Sequence, residues 1–150
     1  NELVHEVIPL AEVEARDLGI QIRLQLSGDV PDIAADDVQI QQVILNLIRN
    51  AIEATESGTG DVTVCSTLVD GDVVKVEVAD NGAGIDHDDP EQVFQPFFST
   101  KRDGMGMGLS ISRSIIEAHG GQIGYCSGAS GGSTFFFRLP AEHRALVREA

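Results

Sequence analysis

Two glycine-rich segments in this chain have the residue types of a nucleotide site. The first is Asp-Asn-Gly-Ala-Gly at residues 80–84, and the second is Gly-Met-Gly-Met-Gly at residues 104–108. Glycine lets backbone amides approach a ligand closely, and the second segment precedes a predicted helix whose N-terminus would attract an anion. Lys101 and Arg102 are the only Lys or Arg between Asp80 and Arg113, a placement that suits phosphate neutralisation. An ordinary solvated loop pair is the alternative.

Neither of the common phosphate-binding loops fits these glycines. No Gly-Lys-Ser/Thr follows residues 104–108, so a P-loop is excluded. No predicted strand leads directly into them, so the dinucleotide-binding fingerprint is excluded as well.

A predicted helix upstream carries a polar stripe that could bind a metal ion. Gln42, Asn46, Asn50 and Glu53 follow one another at spacings of 4, 4 and 3 residues and therefore share one helix face. Asparagine is a poor residue for a helix interior, so its presence there needs a reason. A solvated face is one explanation, although such faces usually carry Lys and Glu. The other is that amide oxygens are ligands suited to Mg²⁺.

Asp80 ends a predicted strand in which every second residue is valine. Because side chains alternate along a strand, Asp80 is expected on the same face as Val74, Val76 and Val78, towards the helices. A carboxylate directed at a core is costly unless a group donates to it, and the exocyclic amine of a flat base could do so. The alternative is a simple Asp-Asn-Gly turn at the end of a strand.

Composition limits the remaining possibilities. The 150 residues fit one domain, and 42% of them are hydrophobic, enough for a sizeable core. A net charge of −14 argues against nucleic acid or an anionic membrane as a partner, and it means that bound ATP would need a divalent cation. No apolar run is long enough to span a bilayer, and residues 1–6 lack the basic flank and apolar run of a signal peptide. We therefore expect a cytoplasmic domain without direct membrane contact. Cys65 and Cys126 are expected to be small buried residues in a reducing compartment.

The order of predicted elements favours a two-layer α/β sandwich. Helices and strands do not alternate regularly, so the helices are expected to cover one face of a mixed, mostly antiparallel sheet. Gly19 should end the first helix, Asp36 or Asp37 should cap the second, and Asp70-Gly71 should form a hairpin turn. The predicted helices cover residues 2–18, 37–55 and 109–119, the strands cover 20–26, 62–64, 73–78, 122–126 and 134–139, and a long loop covers 86–103.

Five segments in register resemble the successive motifs of the catalytic, ATP-binding domain of sensor histidine kinases. These are residues 41–54, 80–85, 93–101, 104–112 and 132–140. The similarity covers residues 1–140 and leaves 141–150 as a C-terminal tail. It implies the Bergerat α/β sandwich, with three helices on one face of the sheet, and is strongest to kinases with PAS-type sensor modules.

The resemblance also implies which residues form the site. Asn50 would bind Mg²⁺, while Asn46 and Lys101 would join it as catalytic residues on the phosphate side. Asp80 would accept a hydrogen bond from the adenine amine, and Phe94 would anchor a lid formed by the long loop. The full set implied for ATP binding is Asn46, Asn50, Asp80, Gly82, Gly84, Ile85, Phe94, Lys101, Gly104, Gly106, Met107, Gly108, Leu109 and Thr134.

The implied function is ATP-dependent phosphorylation of a histidine in two-component signalling. The domain would bind Mg²⁺-ATP as a monomer and donate the γ-phosphate to a separate dimerisation and phosphoacceptor domain of the same kinase, upstream of a response regulator. His5-Glu6 does not fit the phosphoacceptor motif, because the following Pro9 is one residue too close. His87 and His119 are expected to be structural.

Two alternative functions stay open at this point. The first is an ATP hydrolase of the same superfamily, which is disfavoured because Asn46 stands where the hydrolytic relatives carry a general-base glutamate. The second is a nucleotide-responsive binding module without transfer activity, against which the complete set of motifs argues.

Overall fold

The described residues form the predicted elements in the predicted order. The structure, a computed structural model, describes residues 1–55, 60–82, 94, 108–127 and 132–141. The predicted lid loop and the C-terminal tail lie outside these ranges, except for Phe94 and Ala141. Within them are the helices α1 (Glu2–Asp17), α2 (Asp37–Ala54) and α3 (Gly108–Ala118) and the strands β1 (Gln21–Leu26), β2 (Asp61–Val69), β3 (Val73–Asp80), β4 (Gln122–Ser127) and β5 (Ser133–Pro140).

The five described strands form one mixed sheet with the order β1-β2-β3-β5-β4. Strands β1 and β2 are parallel, and α2 lies on the crossover that a parallel pair requires. The other three pairings are antiparallel, so the prediction of a mixed, mostly antiparallel sheet is confirmed. The register pairs Ala79 with Thr134, which brings the end of β3 beside the start of β5.

All three described helices pack on the same face of the sheet. Helix α1 contacts β1, α2 contacts β2 and β3, and α3 contacts β4 and β5. Helix α2 lies between the other two, and Leu47 and Ile48 in its middle are fully buried. The sheet contributes Val64, Val78 and Phe135 to the same core, each 2% exposed or less. The two-layer sandwich predicted from the sequence is therefore the observed architecture.

Local signals set the ends of the helices as expected. The side chain of Asp36 caps α2 by accepting a hydrogen bond from the backbone N–H of Gln39 at 3.0 Å. Gly19 follows α1 with φ of 70°, a left-handed conformation that favours glycine. Asp70 and Gly71 both have positive φ in the β2–β3 turn, which is the geometry of a tight hairpin.

The prediction that both cysteines are buried was wrong. Cys126 is exposed and Cys65 is only half-buried. Both alternate with the core residues of their strands and therefore face away from the helices, whereas their apolar neighbours in sequence face the core. Partial burial, and secondarily the nearby carboxylate of Glu77, raises the pKa of the Cys65 thiol above its ordinary value.

No helix in the described part of the chain is long and apolar enough to cross a membrane.

Candidate nucleotide-binding site

Asp80 lies at the C-terminal end of β3 and faces the helical layer, as strand alternation predicted. Its side chain is on the face of the buried valines, and the residue is 8% exposed. Its Oδ1 accepts hydrogen bonds from the backbone N–H of Gly82 at 2.9 Å and of Ser133 at 3.4 Å. Two backbone donors thus hold a buried carboxylate at one end of the sheet.

Two glycines allow the backbone to pack closely around Asp80. A Cβ on Gly82 would lie 2.0 Å from the carbonyl oxygen of Ala54, the last residue of α2. A Cβ on Gly132 would lie 1.9 Å from the carbonyl oxygen of Asp80 itself. Both distances are far below van der Waals contact, so only glycine fits at either position. The sequence identified Gly82, whereas Gly132 was recognised only as part of a motif.

Ser133, rather than Thr134, is the β5 residue beside Asp80. Ser133 is 2% exposed and donates its N–H to Asp80, whereas the half-buried Thr134 alternates with it and lies on the opposite face of the sheet. The resemblance singled out Thr134. Residues 135–137 are all phenylalanine, so the sequence does not show which face of β5 is buried. The burial of Phe135 and Phe137 in the structure, together with strand alternation, identifies Ser133 instead.

The amide stripe of α2 meets the first turn of α3. Asn46 Nδ2 donates to the carbonyl oxygen of Gly108 at 3.5 Å and to the hydroxyl of Ser112 at 3.3 Å. Asn46 and Asn50 are half-buried, while Gln42 and Glu53 at the ends of the stripe are exposed. The stripe is therefore not a uniformly solvated face. Ser112 is 0% exposed and lies on the buried face of α3.

Phe94 and Leu109 provide apolar packing next to these polar groups. Phe94 is 3% exposed and packs edge-on against Phe135, with ring centroids 6.1 Å apart. The guanidinium of Arg113 lies 5.7 Å from the centre of the Phe94 ring. Leu109 packs against the core from the first turn of α3. Phe94 is thus anchored in the core, and its predicted role as the anchor of a lid stays a prediction.

All of the predicted site roles stay predictions. Six of the residues fall outside the described ranges, and they are Gly84, Ile85, Lys101, Gly104, Gly106 and Met107. His87 lies outside these ranges as well.

His119 has the structural role predicted for it. Its Nδ1 donates to the carbonyl oxygen of Ile115 at 2.7 Å, because a carbonyl oxygen can only accept. Its Nε2 then accepts from the backbone N–H of Asp36 at 3.2 Å. The imidazole thus joins the end of α3 to the cap of α2. His5, by contrast, is exposed on α1.

The side chains of the α2 stripe include oxygen donors that could bind a metal ion. Among the described residues, no group of three or more His, Cys, Asp and Glu could hold a metal ion. The amide oxygens of Asn46 and Asn50, with the carboxylate of Glu53 on the same stripe, are oxygen donors of the kind that Mg²⁺ takes alongside water.

Comparison with known proteins identifies this arrangement. Residues 35–143 match the family described as histidine kinase-, DNA gyrase B-, and HSP90-like ATPase. Sensor protein FixL of Bradyrhizobium diazoefficiens is 48% identical over 142 residues, which make up 94% of this chain and 28% of FixL. The catalytic domain of histidine kinase ThkA has a TM-score of 0.83 and 38% identity, covering 93% of this chain and 91% of that domain.

Two larger structures contain the same fold. Full-length ShkA in complex with AMPPNP matches with a TM-score of 0.83 and 32% identity, covering 95% of this chain and 30% of ShkA. ThkA in complex with the response regulator TrrA matches with a TM-score of 0.81 and 35% identity, covering 95% of this chain and 40% of that kinase.

Together, the fold and the relatives assign this chain to the class of sensor histidine kinase catalytic domains. The chain belongs to the histidine kinase-, DNA gyrase B- and HSP90-like ATPase family, and the predicted Bergerat sandwich is confirmed. It has the fold of a histidine kinase catalytic domain, and it spans only 28% of the length of FixL.

Proposed function

We propose that this domain binds Mg²⁺-ATP and donates the γ-phosphate to a histidine on a dimerisation domain of the same kinase. The observation that carries the proposal is the placement of a buried carboxylate, Asp80, at the end of the sheet where the C-terminal half of α2 meets β3. The same half of α2 bears Asn46 and Asn50, and Asn46 contacts the N-terminal end of α3. A hydrogen-bond acceptor for the nucleotide base and oxygen ligands for a metal ion thus lie in the same half of the domain.

The base side of the site consists of Asp80, Gly82, Gly132 and Ser133. Because Oδ1 of Asp80 is committed to two backbone amides, the exocyclic amine of adenine would donate to Oδ2. Guanine carries a carbonyl oxygen at the corresponding position and would meet the carboxylate acceptor to acceptor. We infer that this side selects ATP over GTP.

The metal side of the site consists of Asn46, Asn50, Gly108 and Ser112. Asn50 would hold Mg²⁺ through its amide oxygen, and the ion would neutralise charge on the phosphates when it is bound. Such neutralisation is needed because the chain has a net charge of −14. Lys101 would add a positive charge near the terminal phosphates.

Transfer is a better match to these residues than hydrolysis. Asn46 has no carboxylate with which to take a proton from water, so an attacking water would be poorly activated. In phosphoryl transfer the protein mainly positions the nucleophile and the phosphate, so a separate histidine-bearing domain can supply the nucleophile. We place this domain in the cytoplasm, as a monomer when isolated, acting upstream of a response regulator.

The test is incubation of the purified chain with γ-labelled ATP and Mg²⁺. The chain alone should bind ATP by calorimetry but acquire no stable label. Adding the kinase's own dimerisation domain in trans should produce acid-labile phosphohistidine on that domain. Stable label on His5, or brisk ATP hydrolysis by the chain alone, would contradict the proposal. An Asn50→Ala variant is the control, since it should bind Mg²⁺-ATP much more weakly while retaining metal-free ADP binding.

A further inference from the structure

The first turn of α3 fixes the orientation of the Asn46 side chain. Its nitrogen faces two groups that lie one helical turn apart at the start of α3, the carbonyl oxygen of Gly108 and the hydroxyl of Ser112. A carbonyl oxygen accepts hydrogen bonds and never donates, so the carboxamide must present its nitrogen to Gly108. The two polar atoms of the amide diverge from one carbon. Oδ1 of Asn46 therefore points away from α3.

Ser112 is a buried polar residue whose side chain contacts Asn46. It is 0% exposed and lies on the same helix face as Ile115 and Ile116, where an apolar residue would be expected. A buried hydroxyl without a partner is costly. Within the described ranges, the hydrogen bond of this hydroxyl is the one to Asn46, across 66 residues of sequence. Packing alone gives no reason for a serine here, whereas orientation of Asn46 does.

We propose that Ser112 is a positioning residue: together with the Gly108 carbonyl, it holds Asn46 so that this side chain offers only its acceptor oxygen to the nucleotide site. The inference rests on the ATP-binding function proposed above. An acceptor oxygen can bind Mg²⁺ or a water molecule in its shell, whereas a phosphate oxygen is itself an acceptor and would need the amide nitrogen. Asn46 therefore serves the metal and not the phosphates directly, and its contribution to nucleotide affinity depends on Mg²⁺.

The direct test compares Ser112→Ala with Ser114→Ala. Ser114 lies on the exposed side of the same helix, and its hydroxyl donates to the carbonyl oxygen of Ser110 at 3.2 Å. Calorimetric titration would use a non-hydrolysable ATP analogue with Mg²⁺ and ADP in EDTA. Ser112→Ala should weaken binding of the Mg²⁺ complex about threefold to tenfold, the effect of one lost hydrogen bond, and leave metal-free ADP within about twofold. Ser114→Ala should leave both unchanged.

A double mutant separates positioning from a general effect on folding. In an Asn46→Ala background, Ser112→Ala should cause no additional loss, because the side chain that it orients is absent. Independent losses from the two substitutions, equal losses with and without metal, or no loss at all would each overturn the role of Ser112. If Ser112→Ala destabilises the domain, Ser112→Cys, which keeps the volume with a weaker hydrogen-bonding group, should show the same dependence on Mg²⁺. A parent that binds no ATP analogue would instead overturn the proposed function itself.

Discussion

The base side and the metal side of the proposed site are held together by different kinds of contact. On the base side, backbone amides of Gly82 and Ser133 hold Asp80, and two glycines pack directly against backbone carbonyl oxygens. On the metal side, a single flexible side chain, Asn46, makes hydrogen bonds of 3.3 and 3.5 Å, at the long end of the normal range.

This difference indicates how the two sides respond to a ligand. Backbone contacts within a sheet and at a helix end are coupled to the whole fold, so we expect the base side to be formed before nucleotide binds. We expect the Asn46 amide to shorten its hydrogen bonds to Gly108 and Ser112 when a ligand binds, without turning over, so the metal side should tighten while the amide keeps its orientation. The rigid backbone around Asp80 would thus select the base, whereas the Asn46 side chain would adjust its hydrogen bonds when the metal binds.

The largest effect on stability is expected on the base side, where the backbone of Gly132 packs against the carbonyl oxygen of Asp80. Gly132→Ala should lower the free energy of unfolding by at least about 2 kcal/mol, because its Cβ would overlap the carbonyl oxygen of Asp80 and force β3 and β5 apart. Urea denaturation measures the change. The matched control is Gly28→Ala, where no atom lies within 4 Å of the added Cβ, and it should stay within about 0.5 kcal/mol of the parent. Equal stability of the two variants would show that the base side is not rigid.

An intermediate effect is expected from Asp80→Asn, which changes one atom of the base side. The new amide oxygen should accept from the Gly82 and Ser133 amides as Oδ1 does now, which puts the amide nitrogen where Oδ2 was. That nitrogen would face the adenine amine donor to donor and cost about 1–3 kcal/mol of ATP affinity. Calorimetric titration of parent and variant with ATP and GTP measures it. Unchanged ATP affinity, together with a parent that does not prefer ATP, would remove Asp80 from base recognition.

The smallest effect is expected on the metal side in the absence of ligand. Asn46→Ala should lower the free energy of unfolding by no more than about 1 kcal/mol, because its two hydrogen bonds are long and alanine favours the helix. Amide exchange in the first turn of α3 should accelerate while that of β3 and β5 stays unchanged. A loss of stability as large as that of Gly132→Ala would show that the two sides are equally rigid.

Local patterns in the sequence were sufficient to predict most of the fold. Valine at alternate positions predicted which face Asp80 occupies, and a capping aspartate and a left-handed glycine marked where helices begin and end. These features depend on neighbours a few residues apart, so a single sequence contains them. The same patterns misled for the cysteines, whose apolar neighbours in sequence belong to the other face of the sheet.

The sequence by itself determined the order of helices and strands, the mixed sheet, and the position of Asp80 at one end of that sheet. It also determined that one face of α2 carries asparagines, whose amide oxygens can bind a metal ion. Only the tertiary structure decided that Ser133 and not Thr134 lies beside Asp80, that Gly132 fits against its carbonyl, and that Ser112 holds Asn46. The physical reason is distance along the chain. Each of these contacts joins segments more than fifty residues apart, and their partners are chosen by strand register and helix packing, which no local pattern records.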